Sequence, residues 1–291
     1  MTEALTTPSG SDVWHDWGGA GPTVHFAHAN GFPPGTYRKL AETIARSHHV
    51  VSMAARPLWS RDPAAELRDW SELADDLKAE LGRRGLRGIL GVGHSLGGVI
   101  SLLSAADDPG LFRAVVAVDP LVLTGRISTF WGLMKGVGMG GRLRLVRGAR
   151  SRRDHWGDRE TVLSSYRRKK IFKYWDPEVL DDYIDCGTVA LPDGTLGLGY
   201  SREWEARIFE IAPHNLWPRL SRLQVPTLII QGEHSDTFRN AAARRAAKEL
   251  ATTEVAVVRE STHFVPMERP EEVGGVILEF FERTTTQGGS G

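Results

Sequence analysis

A Gly-x-Ser-x-Gly pattern makes Ser95 a candidate nucleophile. The pattern lies between an apolar run, residues 88–90, and a helix-like stretch, residues 99–103. This order predicts a strand, a sharp turn and a helix, with the serine hydroxyl raised at the carboxyl end of the strand. The flanking glycines suit such a turn because a Cβ at either position would collide with the neighbouring strand or helix. Free N–H groups at the start of the helix would favour an oxyanion formed during acyl transfer.

A serine hydroxyl needs an adjacent base, and His263 has the position expected of one. It follows the last strand-like run, residues 255–258, so its loop should lie at the same edge of the sheet as Ser95. Imidazole suits the role because its pKa lies close to working pH. The order of serine before histidine along the chain also fits this type of site.

Two aspartates could orient the base, and each follows a strand-like run. Asp236 ends a Gly-Glu-x-x-Asp run after residues 226–231, and it is preferred because that run places it beyond a tight turn at the common acid position. Asp119 follows residues 114–118 and is the alternative acid. It could instead cap the start of the segment that follows.

An oxyanion site requires two N–H donors. The residue after the serine, Leu96, would supply one of them. The loop after the first buried strand, residues 28–35, would supply the other, and Phe32 is the expected donor there.

Strand-like and helix-like runs alternate along most of the chain, which predicts an α/β fold with a mostly parallel sheet covered on both faces. The alternation stops over residues 121–216, where no convincing strand is found. We therefore predict a core formed by 13–120 and 217–284 and a helical cap formed by 121–216. Residues 1–12 and 285–291 are expected to be flexible termini.

Two motifs together resemble the capped serine hydrolases of the α/β-hydrolase superfamily. They are Gly-His-Ser-x-Gly-Gly around Ser95 and His-x-x-Pro-x-Glu-x-Pro at 263–270. The resemblance implies a cap inserted after the sixth strand. It also implies roles for Ser95 as nucleophile, Asp236 as acid, His263 as base, and the amides of Phe32 and Leu96 as oxyanion donors.

One departure concerns the loop in which many members of that superfamily have a histidine before a glycine. This chain has Asn30 at the histidine position, so Asn30 and Gly31 stay as alternative oxyanion donors. The resemblance implies hydrolysis of an ester, thioester or lactone through an acyl-enzyme, without a cofactor or metal. Serine at the turn argues against epoxide or carbon–halogen hydrolysis, for which similar proteins use aspartate. Alternatives are carbon–carbon bond hydrolysis by the same triad and an inactive member or ligand-binding receptor.

Composition limits the class of protein and its partners. The 291 residues are 41% hydrophobic and 25% charged, with a formal net charge of zero, so no overall field favours nucleic acid. A single cysteine fits a reducing compartment, and no signal peptide or membrane span is evident, so a cytoplasmic location is expected. The oligomeric state is not indicated by the sequence.

The cap should decide the substrate. Its first half is rich in arginine and its second half in aspartate and glutamate, and mutual pairing of the two halves is the preferred interpretation. If they do not pair, the basic side could bind an acidic acyl group, coenzyme A or a carrier protein. Trp131, Trp156 and Trp175 are candidates for an apolar wall around a small-molecule acyl substrate.

Overall fold

The structure, a computed structural model, describes residues 13–60 and 62–287. The segment 1–12 and residues 288–291, both expected to be flexible, lie outside the described residues. The last helix extends to Gln287, so it includes three residues that the sequence assigned to a flexible tail.

In the described part of the chain, ten strands form two sheets. They are β1 (Trp14–Gly18), β2 (Thr23–Ala27), β3 (His49–Met53), β4 (Ile89–His94), β5 (Phe112–Val118), β6 (His155–Trp156), β7 (Thr188–Ala190), β8 (Leu196–Leu198), β9 (Thr227–Gly232) and β10 (Thr253–Val258). The large sheet has the order β1-β3-β2-β4-β5-β9-β10. Only β1 is antiparallel to its neighbour. This confirms the mostly parallel sheet predicted from the alternating runs.

The helices cover the sheet and build the inserted segment. They are α1 (Arg38–Ala45), α2 (Trp70–Arg83), α3 (Leu96–Asp107), α4 (Gly125–Gly136), α5 (Arg144–Arg150), α6 (Arg159–Arg167), α7 (Pro177–Gly187), α8 (Arg202–Glu210), α9 (Trp217–Leu220), α10 (Asn240–Glu249), α11 (Val265–Glu268) and α12 (Pro270–Gln287). Within the described ranges, none of these helices combines the length and the apolar character needed to cross a bilayer.

The inserted segment differs from its prediction in two respects. It follows β5, which is the fifth strand and not the sixth among the described residues, since within them β1 alone precedes the first parallel strand. It is also not wholly helical, since β6, β8 and β7 form a small antiparallel sheet. Strands of two or three residues are too short to produce the alternation by which a strand is recognised in a sequence.

The inserted segment is packed onto the core. Trp204 and Ile208 of α8 belong to the same buried apolar cluster as α2 and α3, and Trp70 Nε1 donates to Ile208 O at 2.9 Å. Tyr166 and Tyr183 belong to the cluster that contains strands β2, β4 and β5. The cap and the sheet therefore share their hydrophobic core.

The charged halves of the cap pair only in part with each other. Arg159 contacts Asp181 at 2.9 Å and Asp185 at 2.7 Å. Other acidic side chains instead dock the cap on α1, as in the Lys39–Asp176 pair at 2.7 Å. Several arginines in the first half of the cap have no carboxylate within 4.0 Å in the described part of the chain, unlike Arg150, Arg152 and Arg202. Arg142, Arg144 and Arg147 are among them.

Two histidines, one within β2 and one directly after it, are buried in the neutral form. His25 Nε2 accepts from the Met53 N–H at 3.1 Å, and His28 Nε2 accepts from the Ala55 N–H at 2.8 Å. Burial lowers the pKa of His25 to about 3 and that of His28 to about 4. Both rings thus serve as acceptors for the backbone at the end of β3 and just after it, and protonation would break those contacts.

The free energy of unfolding should therefore fall as pH drops from about 6.5 towards 4. In this range the unfolded chain binds protons at both positions, whereas folded His25 and His28 do not. Each histidine should lower the free energy of unfolding by about 1.4 kcal/mol for each unit by which the pH falls in this range. Urea unfolding at several pH values measures this slope. His25→Gln should reduce this slope, while a substitution of the exposed His155 by Gln should not. Equal slopes for the two variants would contradict the expectation.

Candidate active site

Ser95 lies on a strained turn between β4 and α3. Its backbone has φ 53° and ψ −112°, a region that costs a non-glycine residue about 1–3 kcal/mol. The Ser95 N–H donates to Val118 O at 2.9 Å, and its carbonyl accepts from the Val99 N–H at 3.1 Å. The turn is thus held by the end of β5 on one side and by the first turn of α3 on the other.

The glycines beside the serine are required by close packing, as expected from the motif. A Cβ at Gly93 would lie 2.4 Å from the Gly97 carbonyl carbon. A Cβ at Gly97 would lie 2.0 Å from Ala27 O on β2. Neither contact is possible for real atoms, so both positions must be glycine for α3 to approach the sheet.

Ser95 and His263 line the same cavity, which has a volume of about 1050 Å³. Its wall is mostly apolar and comes from both the core and the cap; it includes Phe32, Leu121, Ile127, Trp131, Leu145 and Ile171. Two cap arginines, Arg126 and Arg144, are also part of the lining. Such a cavity has room for a medium-sized organic substrate.

The His263 ring is oriented by Asp119. Nδ1 of His263 donates to Asp119 Oδ1 at 2.9 Å, and the Asp119 side chain is fully buried. Three further groups donate to this carboxylate: the Gly232 N–H at 2.9 Å, the Ser235 hydroxyl at 2.6 Å and the Phe238 N–H at 3.3 Å. Four donors satisfy the buried charge and leave Nε2 as the basic nitrogen of the imidazole.

Asp236, the acid preferred from the sequence, does not contact His263. It is exposed, and its carboxylate accepts only a long bond of 3.4 Å from Thr237 Oγ1. In the loop after β9 it is Ser235 that donates to Asp119, while Asp236 lines the cavity without a bond to the imidazole. The geometry thus favours the alternative acid, Asp119. The sequence around the two aspartates did not separate them, because each follows a mostly buried strand, β5 or β9.

His94 joins three loops around the cavity. Its Nε2–H donates to the His263 carbonyl at 2.9 Å, which requires Nδ1 to accept from the Tyr37 hydroxyl at 2.8 Å. The same hydroxyl accepts from the Ala29 N–H at 3.2 Å. Burial lowers the pKa of His94 well below its usual value, so the ring is neutral. The chain of bonds connects the loops that carry Ser95, His263 and Phe32.

The two expected oxyanion donors differ in availability. Leu96 is the first residue of α3, so its N–H has no intrahelical acceptor. The Phe32 N–H closes a turn on Ala29 O at 3.2 Å, which is a long bond. The Asn30 side chain is occupied by the cap, since Nδ2 donates to Glu205 O and Oδ1 accepts from Tyr200, both at 3.0 Å.

Of the three tryptophans expected to line the cavity, only Trp131 does so. Trp156 is fully buried against Tyr166, and Trp175 packs on Phe32 and Tyr183 with ring centroids 5.7 and 5.6 Å away. Both side chains belong to a buried apolar cluster and pack on other aromatic rings. Over residues 13–60 and 62–287, no group of three or more His, Cys, Asp or Glu side chains could hold a metal ion.

Comparison with known proteins agrees with this architecture. The sequence model of the α/β hydrolase family matches residues 26–275. The abhydrolase domain-containing protein ACTT2 of Alternaria alternata is 25% identical over 232 residues, 67% of this chain and 83% of that protein.

Solved structures share the fold at low identity. E-2-(acetamidomethylene)succinate hydrolase superposes with a TM-score of 0.78 at 21% identity, covering 92% of this chain and 94% of the other. A thioesterase domain from the curacin biosynthetic pathway gives a TM-score of 0.70 at 14% identity, covering 91% and 94%. Since the family model covers most of the sequence, this chain belongs to the α/β hydrolase family.

Proposed function

We propose that the chain is a serine hydrolase that cleaves a carboxylic ester, a thioester or a lactone through an acyl-enzyme. One observation carries the proposal: Ser95 shares a cavity with His263, and a buried Asp119 carboxylate holds that imidazole. We propose Ser95 as nucleophile, His263 as base and Asp119 as the orienting acid.

In acylation, His263 moves one proton from Ser95 to the leaving group of the substrate. Nε2 of His263 takes the proton of the Ser95 hydroxyl as Oγ bonds to the substrate carbonyl carbon. The carbonyl π electrons move onto oxygen and form a tetrahedral oxyanion. When the oxyanion collapses, the bond to the leaving oxygen or sulfur breaks, and His263 returns the proton to that atom. Asp119 stays ionised and stabilises the imidazolium between the two transfers.

The oxyanion would be bound by backbone N–H groups. The Leu96 N–H lies at the positive end of α3, a helix of 12 residues, where negative charge is favoured. The Phe32 N–H is the second donor, and its long bond to Ala29 O is weak enough to be shared with a substrate oxygen. Water then attacks the acyl carbon with His263 as base, which releases the acid and restores Ser95.

The lining of the cavity favours a substrate with a largely apolar acyl group and a negative charge near the rim. The apolar wall suits the acyl chain, while Arg126 and Arg144 have no carboxylate partner among the described residues. Coenzyme A or carrier-linked thioesters combine both features. Carbon–carbon cleavage by the same triad is the alternative reaction. Ligand binding without turnover is the outcome that the labelling experiment separates from hydrolysis.

The first test is covalent labelling. A fluorophosphonate should label the folded protein at Ser95 because it reacts with activated serines, and intact-mass spectrometry measures the adduct. Ser95→Ala should abolish the label, whereas Ser128→Ala should keep it. Absence of Ser95-dependent labelling in folded protein would overturn the proposal.

The second test separates the two candidate acids. Asp119→Asn should lower kcat for an ester substrate by about a thousandfold to ten-thousandfold, since it removes the carboxylate that holds the His263 tautomer. Asp236→Asn should change kcat by less than about threefold. Circular dichroism and thermal melting would verify that both variants fold. A larger loss in Asp236→Asn would assign the acid role to that residue instead.

The third test concerns the charge at the rim. Hexanoyl coenzyme A and hexanoyl-N-acetylcysteamine carry the same thioester, but only the first carries phosphates. Arg126→Gln and Arg144→Gln should each lower kcat/KM for the coenzyme A thioester about threefold to tenfold and leave the neutral thioester unchanged. Arg147→Gln is the control because Arg147 is exposed but not part of the cavity wall. Equal losses for both thioesters would exclude recognition of the phosphates.

A further inference from the structure

Cap residues bind the loop 28–35, which is expected to supply an oxyanion donor. Asn30 binds Glu205 O and Tyr200 through its side chain, as described above. The next residue, Gly31, has φ 82°, and its carbonyl accepts from the Tyr183 hydroxyl at 3.3 Å. A Cβ at Gly31 would lie 3.2 Å from the Glu205 carboxyl carbon, so the cap contacts this backbone closely.

Tyr183 is itself held by a buried charged group. Arg152 Nη2 donates to the Tyr183 hydroxyl, and Arg152 Nη1 pairs with Glu205 Oε2 at 2.9 Å. The ion pair is largely buried, with 13% and 12% of the two side chains exposed. Burial raises the pKa of the Tyr183 hydroxyl, so it keeps its proton and donates it to Gly31 O.

The direction of the Gly31 carbonyl decides the direction of the Phe32 N–H. In a trans peptide the two groups point in opposite directions, so a donor that holds the carbonyl also holds the N–H. If this peptide rotated, the carbonyl oxygen would turn towards the side now occupied by the N–H and would repel an oxyanion. The Phe32 ring adds a second restraint, since it packs on Tyr183 and Phe264 at centroid distances of 5.1 and 5.7 Å.

We infer that Tyr183, supported by Arg152 and Glu205, is a positioning residue that holds the Gly31-Phe32 peptide in the orientation in which the Phe32 N–H can share its weak bond to Ala29 O with the substrate oxygen. The inference rests on the proposed hydrolase function. The cap thereby contributes to the chemical step as well as to the cavity wall. A buried ion pair often adds little stability, but it can specify one arrangement of the groups that it holds.

The cap offers a matched control for this role. Tyr166 also accepts from Arg152 Nη2, at 3.1 Å, and its ring stacks on that of Tyr183 with centroids 5.6 Å apart. Both tyrosines are buried, and only Tyr183 contacts the Gly31 carbonyl. Substitution of either by phenylalanine removes one hydroxyl from the same cluster, so a general loss of stability would appear in both variants.

The kinetic arm compares Tyr183→Phe with Tyr166→Phe on one ester. Tyr183→Phe should lower kcat about tenfold to a hundredfold with KM nearly unchanged, because a misdirected donor weakens only transition-state binding. It should also weaken inhibition by a trifluoromethyl ketone, which forms an oxyanion on Ser95, more than inhibition by the matching methyl ketone. Tyr166→Phe should retain kcat and both inhibition constants.

The spectroscopic arm does not depend on activity. Gly31-Phe32 is the only Gly-Phe sequence in the chain, so labelling with carbonyl-¹³C glycine and ¹⁵N phenylalanine gives one correlated amide signal. Tyr183→Phe should shift this signal and speed exchange of the Phe32 N–H with solvent, whereas Tyr166→Phe should not. An unmoved signal, or equal effects of the two variants, overturns the inference. If Ser95 is also unreactive to fluorophosphonate, the proposed function fails separately.

Discussion

The buried carboxylate of Asp119 is the constraint on which the site depends. An ionised side chain without water is costly unless donors surround it, and here the donors come from the strand end at Gly232, from Ser235 and Phe238, and from His263. These groups lie on different loops, so the carboxylate is satisfied only when β5, β9 and the loop after β10 are docked together. The interaction that orients the imidazole is thus also one that closes the carboxyl edge of the sheet.

The cap also packs on the sheet and binds a loop of the site. Its aromatic residues share a core with the sheet, and the Lys39–Asp176 pair docks it on α1. Asn30, which departs from the histidine expected in its loop, uses both ends of its amide to bind the cap. In this chain the loop beside Ser95 is therefore stabilised by cap contacts, and a change in the cap can affect the site without touching a substrate.

Much of the fold followed from local patterns. Long apolar runs alternating with amphipathic helices are enough to predict a mostly parallel sheet, and a serine between two glycines is enough to predict a sharp turn. The three short strands of the cap were missed because two or three residues have no visible period. The role of Trp156 and Trp175 was misassigned because an aromatic side chain packs equally well in a core or at a cavity wall. The cytoplasmic location stays a prediction.

The choice between the two candidate acids could not be made from the sequence and required the structure. Asp119 and Asp236 each follow a buried strand, and nothing within a few residues of either one indicates which side chain turns inward. That choice depends on contacts between residues more than a hundred positions apart, such as Asp119 with Ser235. The sequence by itself determined the order of strands and helices, the glycine-flanked turn at Ser95 and the candidate base, because these depend on neighbours in the chain. Only the tertiary structure decided which carboxylate holds His263 and which cap residues support Gly31, because those partners meet only when distant segments pack.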